Sequence, residues 1–533
     1  MTSDVVEQKK TTGAINLSRR LVMVNSASAV LNRLLSVTVL IWLFQYLIQR
    51  IPVEEFALYP LVMAVMVVAP LFFSAFNGGL ARFLIDAYAR EDYQRARALL
   101  SSVVPALALC VMAFWIVGAV FTLSIETFLN IPRGLEHEAQ LMMGLLVFSF
   151  GVQMFLAPFM VGFHIRQRYV EQNLLELLRE LLRFAILLIL MLTLGPKVIW
   201  VVVATSVAEI VIALAMALRS RQLVPDLRFD RRLGNVRMAL HLTSFGLWTT
   251  LGQLGGLMYT NAATIVLNLH GTATDVTCYF LGATIFRQTE AIIMRAIAPL
   301  LPVITALNVS GDNARLTPTV LRGGRYALWA AMIVATPAII YADIFVKLYV
   351  GPGFMKAAWV IILFMSMLPF TQAVALLPLT ALAKGWMRQF YLPAFIAQLL
   401  GLVLMLVAVT RFEMGAIGVT AALAIVTIGS QLLYFWHLCR RMIDVDFGTF
   451  YRRVLLPGLL PAAAGAVVWT GVRFAVPMGS WVALFGCGAL GAIVYFATLL
   501  AFSLEPEARR KLADRISRLR ARISQFLSGS PGS

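Results

Sequence analysis

The chain has 533 residues, 60% of them apolar and 13% charged, with a mean hydropathy of +0.84. Soluble globular domains run at about 45–50% apolar and about 25% charged, so that class is excluded. The formal net charge of +18 invites a nucleic-acid partner, but the charge is distributed as membrane topology requires, and no nucleic acid is expected.

Residues 1–20 are polar and read as a cytoplasmic tail. No cleavable secretory signal is expected, because the first apolar span is too long for a signal-peptide core. Apolar windows of about 20 residues mark membrane helices. Fourteen are expected, at 21–48, 57–80, 98–124, 140–163, 173–194, 198–219, 242–268, 277–304, 323–346, 357–381, 389–409, 415–438, 454–474 and 480–503. An even number leaves both termini on one side. That side carries 32 Lys and Arg against seven on the other, with five more Arg inside spans. The bias places both termini in the cytoplasm of a multi-pass inner-membrane protein.

The most basic loop, RSRQLVPDLRFDRRLGNVR at 219–237, divides the chain. The expected organisation is an N-lobe of spans one to six (21–219), a basic linker (220–241), a C-lobe of spans seven to twelve (242–438), and a final pair of spans (439–503). Residues 504–533 read as a basic amphipathic tail on the anionic inner leaflet, with Leu512, Ile516, Leu519 and Ile523 recurring among arginines. Short outward loops leave no room for a soluble domain. Cys110, Cys278, Cys439 and Cys487 have no paired spacing and read as small core residues.

Charge inside the spans is the informative signal. Glu176, Arg179, Glu180 and Arg183 lie in the fifth span. At about 100° per residue they share one stripe, leaving the rest of that helix for lipid. Arg33 in span one, Glu209 in span six, and Arg287, Glu290 and Arg295 in span eight complete the set. A charge at the centre of a span costs at least about 2.5–3.5 kcal/mol, so it persists where it meets water, a partner or a substrate. Arg33 and Arg287 have two readings: a bidentate grip on an anionic head group, or pairing with neighbouring glutamates, at i,i+3 spacing for Arg287 and Glu290. Arg179, Arg183 and Arg295 are further substrate candidates. Glu176, Glu180, Glu209 and Glu290 are proton carriers or ion-pair partners. Pro158, Pro299, Pro302, Pro369 and Pro378 are expected to bend their spans. The five histidines lack metal-ligand spacing, and no Walker motif, nucleophile elbow or catalytic carboxylate pair is present. No catalytic, metal or cofactor site is expected.

Three stretches carry a family resemblance: AFNGGLARFLIDAYAREDYQRAR (75–97), GFHIRQRYVEQNLLELLRELLRF (162–184) and VPDLRFDRRLGNVRMALHLTSFGLWTTLGQL (224–254). With fourteen spans and a basic mid-chain linker, the chain resembles the polysaccharide transporters of the multidrug/oligosaccharidyl-lipid/polysaccharide exporter superfamily, in particular the O-antigen (Wzx-like) flippases. The resemblance implies an all-α membrane fold with two pseudo-symmetric six-helix lobes around a cationic central cavity. It also implies transport by alternating access, not an enzyme reaction. The implied substrate is an undecaprenyl-diphosphate-linked oligosaccharide for surface polysaccharide or lipopolysaccharide synthesis, and polysaccharide polymerase machinery is an implied partner. Carried onto this chain, the cavity positions are Arg33, Arg179, Arg183, Arg287 and Arg295. Alternatives in the same superfamily are a lipid II flippase and a cation-coupled multidrug antiporter; from another class, a membrane glycan ligase or polymerase is disfavoured by the short outward loops.

Overall fold

The computed structural model describes residues 43–67, 69, 84, 87–88, 91–166, 168–225, 228–235, 261–297 and 300–504. Arg33, most of the first expected span, the end of the second, the greater part of the seventh and the basic tail after Leu504 lie outside these residues. Every regular element among the described residues is helical, and nine of the described helices are long and apolar enough to cross a membrane. The protein is an all-α, multi-pass membrane protein.

Two compact units are present. The first comprises residues 1–280 and 402–415. Its main described helices are α1 (Val53–Met66), α2 (Tyr93–Leu123), α3 (Glu136–Leu156), α4 (Tyr169–Leu194) and α5 (Ile199–Leu223). Helix α6 (Ala273–Ile297) begins in this unit and passes at residue 281 into the second. The second unit comprises residues 281–401 and 416–533. It contains α7 (Leu300–Val309), α8 (Asn313–Ile340), α9 (Lys356–Gln372), α10 (Leu377–Lys384), the first part of α11 (Met387–Thr410), α12 (Gly415–Ser430), α13 (Leu456–Ala475) and α14 (Trp481–Thr498).

Several helices begin before their apolar windows, because side-chain caps carry them into the polar loops. The Asp92 carboxylate accepts the Arg95 N–H at 2.9 Å and starts α2 at Tyr93, ahead of the expected 98. The Asp312 carboxylate accepts the Arg315 N–H at 3.1 Å and starts α8 at Asn313, ahead of the expected 323. A hydropathy window sees the apolar part of a helix, whereas an N-cap satisfies the orphan amides of its first turn wherever that turn lies.

Prolines divide other spans. A 3-10 turn, Ala157–Met160, contains Pro158 and closes α3. The stretch expected as one span at 277–304 is described as α6, up to Ile297, and α7, from Leu300, and residues 298–299 lie outside the described residues. The span expected at 357–381 is α9 followed by α10, with turns between and Pro378 in the first turn of α10. Proline lacks the amide that a continuous helix requires. Single π-helical turns, Gln431–Phe435, Tyr451–Leu455 and Leu499–Ser503, were not legible in the sequence.

In the first unit α5 packs between α3 and α4. The Ser101 and Ser102 hydroxyls on α2 accept the backbone N–H groups of Asp230 and Asn235, each at 2.9 Å, and so tie part of the basic linker to that helix. In the second unit α8 packs against α9 and α13, and α13 against α14. A Cβ on Gly324 of α8 would sit 2.3 Å from the Ala373 carbonyl oxygen, so the close approach there requires glycine. All four cysteines are free.

Candidate functional site

Helix α4 presents two opposed faces. Leu174, Leu178, Leu181, Ile189 and Leu192 are 50–74% exposed, whereas Leu187 and Met191 are buried. By helical periodicity Glu176, Arg179, Glu180 and Arg183 share the side of Leu187 and Met191. The charges thus point into the unit, and the leucines opposite them point outward. Arg183 Nη2 lies 2.7 Å from Glu180 Oε2, a charge contact without aligned hydrogen-bond geometry. Arg179 Nη2 lies 3.7 Å from Glu180 Oε1. Exposure falls along the set, at 36% for the Arg179 side chain, 20% for Arg183 and 14% for Glu180. Glu176 accepts from Gln172 Nε2 at 3.4 Å, one turn earlier.

The neighbouring helices complete a network. Glu209 on α5 accepts a 2.6 Å hydrogen bond from Gln153 Nε2 on α3. It also lies within electrostatic reach of Arg179, Arg183 and Glu180. Tyr59 on α1 lies in the field of Arg183 and Glu209. Two guanidiniums and the carboxylates of Glu180 and Glu209 therefore balance within apolar helices, with an amide and a phenol from two further helices. Neither Gln153 nor Tyr59 is among the site residues that the sequence pointed to. An amide in an otherwise apolar stretch was the available signal, because such a group needs a partner inside a bilayer.

In such a network mutual pairing offsets part of the several kcal/mol per ion that burial in a low-dielectric region costs. Chemically it offers an ion-pair exchange: an arginine leaves its glutamate to take an anionic group and later returns. Among the described residues no group of three His, Cys, Asp or Glu side chains is placed to hold a metal ion. A cavity of about 420 Å³ in the same unit is lined by Ser220, Arg221, Arg228 and Phe229 among others, and none of the network residues contributes to it.

Polar contacts also mark the ends of these helices. Glu171, in the first turn of α4, pairs with both Arg219 of α5 and Arg168. At the other end, Lys197 in the α4–α5 loop donates to Glu138 at 2.9 Å. That bond and the negative charge behind it hold the lysine above its ordinary value.

In the second unit the candidates lie on the latter half of α6. Phe286 stacks on Phe364 of α9 with centroids 5.1 Å apart. A Cβ on Gly282 would meet Val360 at 2.5 Å, so this stretch of α6 lies close against α9. Arg287 is half-buried and Arg295 exposed. Glu290 is half-buried and makes no hydrogen bond or ion pair with any described residue. The i,i+3 pairing with Arg287 that the spacing allows is therefore not formed. Arg33 lies outside the described residues.

A family described as polysaccharide biosynthesis protein matches residues 19–308, more than half of the chain. The chain belongs to this family. It is similar to the uncharacterized membrane protein EpsK of Bacillus subtilis (strain 168), with 23% identity over 518 residues, covering 92% of this chain and 97% of EpsK. Among solved structures, the lipid II flippase MurJ in an inward closed conformation aligns with a TM-score of 0.68 at 13% identity, covering 89% of this chain and 98% of MurJ. An outward-facing multidrug resistance MATE family transporter of the MOP superfamily aligns with a TM-score of 0.58 at 14% identity, covering 79% of this chain and 95% of the transporter. At these identities the structural likeness establishes the fold. This member of the polysaccharide biosynthesis family has the helical architecture of MOP-superfamily transporters, and its structural neighbours are transporters and flippases, not enzymes.

Proposed function

We propose that the protein is a flippase carrying an undecaprenyl-diphosphate-linked oligosaccharide from the inner to the outer leaflet of the cytoplasmic membrane by alternating access, for surface polysaccharide or lipopolysaccharide synthesis. The observation that carries this reading is the inward-facing set on α4 and α5, where Arg179 and Arg183 lie against Glu180 and within electrostatic reach of Glu209. Apolar helices keep such charges where they serve a polar cargo, and the family membership names polysaccharide biosynthesis as the setting. In this reading Arg33, Arg179, Arg183, Arg287 and Arg295 bind the diphosphate. Glu176, Glu180, Glu209 and Glu290 exchange with it as ion-pair partners or carry protons. Both termini lie in the cytoplasm, following the distribution of Lys and Arg, and residues 220–241 link the two six-span lobes. The polymerase that uses the flipped oligosaccharide is its functional partner.

The test uses full-length protein in liposomes loaded with a labelled undecaprenyl-diphosphate oligosaccharide. A membrane-impermeant glycosidase reports which leaflet holds the sugar. Wild-type protein is expected to redistribute the substrate between leaflets, and Arg33→Ala, Arg183→Ala or Arg287→Ala to abolish that movement. Movement of lipid II but not of the oligosaccharide would instead establish the peptidoglycan-precursor reading. Gradient-driven export of a cationic dye, with no lipid movement, would establish the antiporter reading.

A further inference from the structure

The second unit holds a strongly basic cavity remote in sequence from the charges considered so far. It encloses about 440 Å³ between the start of α8, the chain just before α13 and the chain just after α14. Arg322, Arg325, Arg452 and Arg453 line it, together with Phe502 and Ser503. These segments come from three stretches far apart in the chain, yet each adjoins a loop that the charge bias assigns to the cytoplasm.

Three further observations point to a ligand. The Ser503 hydroxyl is 3% exposed and has no hydrogen-bond partner among the described residues, although it lines a cavity. Buried polar groups are normally satisfied, so an orphan at a cavity wall marks a place where a bound group completes the bonding. The Arg325 guanidinium carbon lies 5.4 Å from the Trp329 ring centroid and 5.5 Å from that of Tyr326, cation–π contacts that hold the charged group at the cavity wall. The cavity is also bordered by two π-helical turns, Tyr451–Leu455 and Leu499–Ser503. The first lies within a continuous helix and the second ends one, and single π turns inside helices recur at functional sites.

We propose that this cavity binds the phosphate of an anionic phospholipid head group from the inner leaflet. Guanidinium groups match phosphate through paired N–H donors, and basic pockets between membrane helices on the cytoplasmic side hold anionic head groups. The apolar part of the lining favours a lipid over a free ion: Pro318, Leu321, Pro457, Phe502 and Leu504 contribute to it, and Phe502 is 74% exposed, suited to lying against an acyl chain. Placement of this end in the cytoplasm rests on the topology proposed above; the cavity and its chemistry do not depend on the flippase reading.

Native mass spectrometry of the full-length protein, titrated with phosphatidylglycerol, phosphatidylcholine or inorganic phosphate, tests the proposal. Phosphatidylglycerol is expected to remain bound in preference to phosphatidylcholine. Replacing two of the three exposed lining arginines, Arg452→Gln with Arg453→Gln, is expected to weaken that binding about 30-fold. Ser503→Ala should weaken it by a smaller factor, and Arg440→Gln with Arg441→Gln, a basic pair that does not line the cavity, should leave it unchanged. Equal losses in the two double variants would show a general surface-charge effect and overturn the proposal. Inorganic phosphate binding as tightly as the lipid would overturn the lipid assignment. Glu505 and Glu507 follow the cavity in the sequence and are the competing occupants. Phosphatidylglycerol binding that appears only after Glu505→Gln with Glu507→Gln would show that the chain fills its own site, which also overturns the proposal.

Discussion

The two compact units differ in how they satisfy polar groups well inside apolar helices, although near helix ends the second also pairs Arg473 with Asp343 at 2.8 Å and the first has Trp200 Nε1 donating to Gly195 O at 3.1 Å. In the second, neutral aromatic donors reach backbone carbonyls. Trp469 Nε1 donates to Gly488 O at 3.0 Å, Tyr341 Oη to Trp469 O at 2.8 Å, Tyr495 Oη to Trp329 O at 2.9 Å and Trp329 Nε1 to Pro457 O at 2.8 Å. Trp469 and Tyr495 are fully buried. In the first unit, α3, α4 and α5 place ions and an amide against one another instead. A neutral donor on a carbonyl has one partner and no reason to leave it. Arg183 instead touches Glu180 and lies within electrostatic reach of Glu209, so it has more than one anion to interact with; in the proposed function such a group releases and regains a charged cargo.

The largest expected effect breaks the aromatic side of this contrast. Trp469→Ala removes a fully buried side chain and should destabilise the second unit by about 3–5 kcal/mol. Thermal unfolding in detergent measures the loss, and transport per folded molecule should stay near wild type. On the charged side, Arg183→Gln strips Glu180 of its nearest cation. The cost is expected near the low end of the roughly 3–5 kcal/mol for breaking a buried pair, because Arg183 keeps 20% exposure. The double variant Glu180→Gln with Arg183→Gln should regain most of that stability without regaining transport. Recovery of both would reduce the pair to a packing device.

Much of this contrast was not legible in the sequence. The charged stripe on α4 was, since it depends on local periodicity alone, and the leucines opposite it are indeed the exposed ones. The capped starts of α2 and α8 were missed, because their first turns are polar and hydropathy overlooks them. Gln153 meets Glu209 across 56 residues, a separation that no local pattern encodes. The arginines lining the second-unit cavity were counted as topological charge, and nothing in their spacing shows that they meet.

Two smaller predictions sharpen the comparison. Tyr495→Phe deletes one donor without changing shape and is expected to cost about 0.6 kcal/mol, the scale for such bonds in membrane bundles, read as a small fall in unfolding temperature. Lys197→Met tests the weakest contact. Because Lys197 is held above its ordinary value by Glu138, its contribution is complete below about pH 10.4 and is lost as pH rises through the raised value. The lysine is 49% exposed, so the difference should be a few tenths of a kcal/mol at most. Wild type should unfold slightly later than the variant at pH 8, and the two curves should coincide in strong base.

The charged face of α4 also constrains how the protein is made. A segment bearing two glutamates and two arginines in its first half partitions poorly from the translocon into lipid on its own, at roughly 2.5–3.5 kcal/mol for each charge near the bilayer centre. Only Gly195–Pro196–Lys197–Val198 separates α4 from α5, and α5 carries the glutamate that meets those arginines. The two helices are therefore best suited to enter the membrane together as a hairpin, with α3 already in place to receive them. A chain released from the ribosome after ending just before residue 199 should leave α4 accessible from the aqueous side to a membrane-impermeant thiol reagent at an introduced cysteine, and extension through residue 223 should protect it.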